Sequence, residues 1–181
     1  MIVSTKWSLG RVRLPPRKVR DDMKITVVCV GRLKEKFYRD AVEEYAKRLG
    51  KYCKLEILEV ADEKTPDGAS ALQEDRILEK EATRILDKLR EDAYVCTLEI
   101  AGRKLSSEGL AEWTQQLTVR GISHIAFVIG GSLGLHSSVR NRADFSLSFS
   151  DMTFPHQLMR VILCEQIYRA FRIMNGEPYH K

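Results

Sequence analysis

A chain of 181 residues, 44% hydrophobic and 30% charged, is long enough for one globular domain with a sizeable core. It has no apolar run long enough to span a bilayer as a helix, which excludes a helical membrane protein. The formal charge of +5 sits mostly in residues 1–22, whose six bases and two acids give +4; residues 23–181 carry +1, so net charge alone does not argue for nucleic acid.

Residues 1–22 lack a sustained apolar period, contain Pro15-Pro16 and end in a charge run before Met23. They read as an unstructured extension, with three origins open: an unused upstream start, a basic RNA-contacting arm, or an arginine-biased targeting peptide. The domain is expected over 23–181.

From Met23 onward, β-branched runs alternate with helical periods. Residues 25–30 read as a buried strand, followed by Gly31 and a helix over 34–49 with Phe37, Ala41, Tyr45 and Leu49 on one stripe. A second strand is expected over 55–60, then a loop carrying Thr65-Pro66-Asp67-Gly68. A long charged helix over 72–89 turns Leu78, Ala82, Ile85 and Leu89 inward. The third strand spans 94–100, and Ser106 or Ser107 caps a helix reaching Leu117. The fourth strand, 124–129, runs directly into Gly130-Gly131-Ser132-Leu133-Gly134. A short helix near 138–143 leads to a fifth strand over 145–149, and the last helix covers 156–174.

This alternation predicts a parallel sheet covered on both faces, with ligands bound beyond the carboxyl ends of its strands. Loops rich in small residues follow strands three, four and five, which nominates that end of the sheet. The glycine loop is neither a dinucleotide fingerprint nor a triphosphate loop. Alone, it is a tight turn as readily as a cofactor loop. Four scattered cysteines and four scattered histidines give no metal-ligand spacing. Unpaired cysteines in apolar runs suit a reducing compartment and predict a cytoplasmic protein.

The last helix is apolar over well more than half its circumference, which predicts burial on two sides, either by a central position or by a partner subunit. If a partner covers it, Ile167 and Phe171 are the residues expected on the shared face. Glu165, Arg169 and Arg172 group on one side, with Glu165 and Arg169 in the favourable i, i+4 order. They read equally as a structural ion pair or as a polar edge toward a site. The tail Glu177-Pro178-Tyr179-His180-Lys181 joins an aromatic ring to an imidazole where chain ends are usually frayed.

Three segments, 128–135 (VIGGSLGL), 147–160 (LSFSDMTFPHQLMR) and 165–181 (EQIYRAFRIMNGEPYHK), resemble the bacterial ribosomal RNA large subunit methyltransferase H family. Residues 23–33 (MKITVVCVGRL), 97–100 (TLEI) and 105–109 (LSSEG) are similar to it as well. The resemblance covers essentially all of residues 23–181. It implies a SPOUT-like α/β fold: a parallel sheet flanked by helices, with a C-terminal trefoil knot. It also implies a homodimer that uses S-adenosyl-L-methionine to methylate N3 of a pseudouridine in large-subunit ribosomal RNA, on assembled ribosomes, with no metal and no membrane.

Carried over by position, the cofactor contacts implied are Leu98, Gly130, Phe149, Ser150, Asp151, Met152, Thr153 and Phe154. Those for catalysis are His156, Glu165, Arg169, Tyr179 and His180, with Arg160 and Lys181 as candidates for phosphate. Three alternatives stay open: another RNA target, a small-molecule α/β enzyme using the glycine loop, and a non-catalytic RNA-binding module.

Overall fold

The computed structural model describes residues 23–179, so the expectations placed on residues 1–22, His180 and Lys181 lie outside the described residues. The elements run β1 (Lys24–Val30), α1 (Lys36–Leu49), β2 (Lys54–Val60), α2 (Ala71–Leu86), β3 (Tyr94–Lys104), α3 (Ser107–Val119), β4 (His124–Ile129), α4 (Ser137–Arg142), β5 (Phe145–Ser148) and α5 (His156–Met174). The five strands form one parallel sheet in the order β2-β1-β4-β3-β5.

The two central neighbours, β1 and β4, are the most continuously apolar strands, because both of their faces are covered. Strand alternation divides the core in two. Ile25, Val27, Ile125 and Phe127 meet Leu163, Ile167 and Phe171 of α5 on one face, where α5 also packs against α1 and α3. Val28, Val95, Ala126 and Val128 meet Ala82 and Ile85 of α2 and Val139 of α4 on the other.

Local chemistry sets the helix starts. Ser70 and Gln73 form a reciprocal capping box on α2, and the Ser106 hydroxyl accepts from Gly109 N–H at 3.0 Å to cap α3.

Three expectations change. Phe37 is 61% exposed, and Val42 and Leu49 supply the buried stripe of α1 instead. Ile167 and Phe171 fill this chain's own core, so they are not available to a second subunit. The outward side of α5 is the half-covered set Leu158, Val161 and Ile162. Finally, β3 continues beyond residue 100 to Lys104 by pairing a second time with β5.

Candidate functional site

That second pairing builds one wall of a cleft. Leu98 and Arg103 of β3 both register with Leu147 of β5, so residues 99–102 leave the ladder as a bulge. Gly102 permits this: a Cβ there would lie 2.7 Å from the Leu147 backbone carbon. The bulge stands beside the loop after β4 and the loop after β5, and the three enclose a cleft of about 610 Å³. This size falls within the ~300–1,000 Å³ usual for small-molecule sites.

The lining includes Leu98, Gly130, Phe149, Ser150, Met152, Thr153 and Phe154, seven of the eight positions nominated for a cofactor. Asp151 is not among the lining residues; its exposed carboxylate pairs with Lys104 of the bulged strand. Gly130 has a more local reason to be glycine than ligand space, since a Cβ would lie 2.4 Å from the Gly134 carbonyl oxygen. The loop closes upon itself there.

Two charged residues of the cleft escaped the sequence reading, Glu99 and Arg140. Oε1 of Glu99 accepts from Thr97 Oγ1 at 2.7 Å and Ser146 Oγ at 3.0 Å, while Arg140 Nη1 stands 3.8 Å from Oε2. Glu99 follows Leu98 in the sequence, and its carboxylate lies on the same side of β3 as Thr97, two residues earlier. Leu98, Leu135, Leu147 and Met159 make most of the remaining wall apolar. The arrangement suits a ligand with a flat apolar part and a few polar groups.

His156, the first residue of α5, also lines the cleft. Burial is the main cause that holds its imidazole below the usual range, with Arg160 and Lys34 adding to it and Asp62 opposing. The ring is therefore neutral near pH 7 and able to accept a proton.

One turn later Arg160 is fully buried, with Nη1 2.6 Å from Glu59 Oε1 and Nη2 donating to the Val30 and Gly31 carbonyls at 2.9 and 2.7 Å. Its expected role in holding phosphate is corrected: Arg160 ties α5 to the ends of β1 and β2.

Glu165, Arg169 and Tyr179 form a second cluster. Glu165 Oε1 accepts from Arg169 Nε and Nη2 at 2.9 and 2.7 Å, and the Arg169 guanidinium lies 4.7 Å from the Tyr179 ring centre. Tyr179 also packs edge-on against Tyr168, with ring centres 5.1 Å apart. The tail is anchored by Glu177, which meets Tyr52 Oη at 2.7 Å and Arg172 Nε at 2.8 Å. At about 1.5 Å rise per residue, Glu165 and Arg169 lie ~14 and ~20 Å along α5 from His156. Two further residues reach only ~7 Å at full extension. Within one chain the structure therefore separates the catalytic candidates into His156 at the cleft and Glu165, Arg169 and Tyr179 away from it.

The cysteines offer no nucleophile: all four are free and buried, and burial pushes the thiols of Cys29, Cys53 and Cys164 up to about 12. Among the described residues no group of three or more His, Cys, Asp or Glu side chains is placed to hold a metal ion, and no helix is long and apolar enough to cross a membrane.

The family model described as "Predicted SPOUT methyltransferase" matches residues 23–180. The ribosomal RNA large subunit methyltransferase H of Bifidobacterium adolescentis is 60% identical over 159 residues, which cover 88% of this chain and 100% of that protein. The protein of the same name from Clostridium beijerinckii is 56% identical over the same shares. A solved structure titled as a probable methylase family protein from Haemophilus influenzae aligns with a TM-score of 0.48 at 14% identity, covering 88% of this chain and 70% of that one. With a matching family model and relatives aligned over their full length, this chain belongs to the ribosomal RNA large subunit methyltransferase H family of SPOUT methyltransferases.

Proposed function

We propose that this protein methylates large-subunit ribosomal RNA, transferring the methyl group of S-adenosylmethionine to N3 of a pseudouridine on assembled ribosomes, as a homodimer. The observation that carries this reading is the convergence of the β3, β4 and β5 loops on one largely apolar cleft with Glu99 and Arg140 at its polar end. The names of the full-length relatives supply the RNA class. Membership of the SPOUT class supports the knotted C-terminal threading.

The residues present fit the donor. Leu98, Phe149 and the other apolar groups offer surfaces for an adenine ring. The opposed charges of Glu99 and Arg140 suit the ammonium and carboxylate of an amino-acid tail, or a ribose diol. When bound, S-adenosylmethionine supplies an electrophilic methyl group on a sulfonium, and its sulfur departs neutral.

The protein's own work is then to orient the attacking nitrogen in line and to remove its proton. Orientation alone supplies up to ~7–11 kcal/mol of a barrier in ideal cases. His156 stands at the cleft wall with a neutral imidazole and is the nearest candidate to accept the N3 proton. Arg169, held by Glu165, offers a cation to a developing oxyanion.

The separation of these groups along α5 favours the homodimer: a tail from a second copy, seated against the half-covered Leu158, Val161 and Ile162 side, completes a site that one chain leaves divided. Titration calorimetry tests the donor assignment, with binding of S-adenosylmethionine in preference to ATP or NAD expected. Preference for a nucleotide phosphate would support a small-molecule enzyme instead.

A further inference from the structure

The near-neutral body leaves open how RNA is held, and the misplaced ring of Phe37 points to an answer. Residues 32–39 carry four bases and one acid, +3, in a body whose total is +1. They form a lip made of the loop after β1 and the first turn of α1.

Several contacts fix that lip to the candidate site. Arg39 Nη1 donates to the Leu33 and Lys34 carbonyls at 3.0 and 2.7 Å, which folds the segment back on itself. Leu33 N–H donates to Glu59 Oε1 and Lys34 N–H to Gln157 Oε1, both at 2.9 Å. Gln157 is the neighbour of His156, whose Nε2 lies 3.3 Å from where a Cβ on Gly31 would sit. The Lys34 charge is felt by that imidazole. The lip thus borders the cleft at the proton-accepting candidate.

Its exposed face combines two kinds of group. Arg32 and Lys34 are exposed, and among the described residues no carboxylate stands within ion-pair distance of either, whereas Lys36 is paired with Asp40 at 2.6 Å. Phe37 is 61% exposed and rests against Tyr38 with ring centres 4.2 Å apart. Unpaired cations beside an exposed ring on a held backbone match phosphates flanking an unstacked base. They do not match an apolar protein partner.

We propose that residues 32–38 are the surface on which single-stranded RNA of the substrate docks, with Arg32 and Lys34 on phosphates and Phe37 stacked on a base. This rests on the reading of the cleft as an RNA-methylating site but is tested apart from it.

The experiment measures affinity of the full chain for purified large ribosomal subunits across a salt series. The Arg32→Ala/Lys34→Ala variant should bind more weakly and lose about 1.4–1.8 from the slope of log affinity against log salt. Phe37→Ala should bind roughly 5- to 150-fold more weakly with the slope unchanged. Lys47→Ala/Lys51→Ala removes the same charge at the far end of α1 and should leave the slope near the parent value. All these side chains are exposed, and circular dichroism with S-adenosylmethionine calorimetry checks that each variant is folded.

Equal slopes for the two double variants would overturn the proposal. So would a parent protein that does not bind the subunits, or a Phe37→Ala loss with no salt dependence in any variant, which is a protein contact. A parent that loses affinity as predicted in the lip variants but transfers no methyl group supports the lip and defeats the catalytic reading.

Discussion

Arg160 of α5 and Glu59 of β2, 101 positions apart in sequence, meet at 2.6 Å, and the arginine is wholly buried while its partner stays partly open to solvent. The same guanidinium takes up the carbonyls of Val30 and Gly31, and its Nε has no hydrogen-bond partner among the described residues. One side chain therefore joins the end of β1, the end of β2 and the helix that begins at the cleft. Breaking such a pair leaves buried polar groups uncompensated, at a cost of about 3–5 kcal/mol. Arg160→Ala should lower unfolding free energy in denaturant titration by that amount, and Glu59→Gln by less. A change under about 1 kcal/mol for Arg160→Ala would show that the tie is dispensable.

The tie lies at the carboxyl ends of β1 and β2, at the same end of the parallel sheet as the glycine loop, but the two were not equally legible in the sequence. β4 and α5 have the bounds their patterns predict, because a continuous apolar run and a long helical period are local signals. The glycine loop and the 149–154 loop were legible as strand-end segments. Three things were not. The continuation of β3 depends on a second pairing with β5, and the Glu99 carboxylate is fixed by Ser146 and Arg140, partners distant in sequence. Arg160 reads as a surface cation until long-range partners surround it. Phe37 has the spacing of a core residue yet stands 61% exposed in the first turn of α1.

Gly130 should be intolerant of any side chain for a backbone reason. A Cβ placed 2.4 Å from the Gly134 carbonyl oxygen forces the loop open. Gly130→Val should therefore weaken S-adenosylmethionine binding sharply in calorimetry and also lower the melting temperature, as overpacking by ~1–3 kcal/mol does. Unchanged affinity in a folded variant would remove the loop from the donor site.

Acid should destabilise the fold through two histidines. Burial lowers both His124 and His156 below the ordinary 6.5. Around His124 stand Lys24, Arg90, Asp92 and Glu56, with Thr26 Oγ1 2.9 Å from its Nε2. As pH falls below 6.5 the unfolded chain takes up protons that the folded chain resists, so stability present above that pH declines until the folded imidazoles protonate as well. Melting temperatures of His124→Gln should fall less steeply over this range than those of the parent. An equal slope would remove His124 from the effect.

The outward side of α5 should be a subunit interface. Light scattering at micromolar concentration should give twice the chain mass of 20.8 kDa, and Val161→Lys should shift it toward one chain. A parent mass of 20.8 kDa would contradict the homodimer.

The tail should matter for chemistry and not for binding the donor. Tyr179 is held against Tyr168 and against Arg169, which lies ~20 Å along α5 from His156. Removal of residues 179–181 should abolish methyl transfer while S-adenosylmethionine affinity and dimer mass stay near the parent values. A truncated protein with the parent rate would leave catalysis to the cleft residues alone.

The central claim is methyl transfer to ribosomal RNA. Its most direct measurement supplies S-adenosylmethionine with a labelled methyl group to the purified protein and to intact ribosomes lacking the modification, then maps the label. Label is expected on N3 of one pseudouridine of the large-subunit RNA, and it should be lost with His156→Ala. Ribosomal RNA that stays unlabelled with a folded, donor-binding protein would contradict the account.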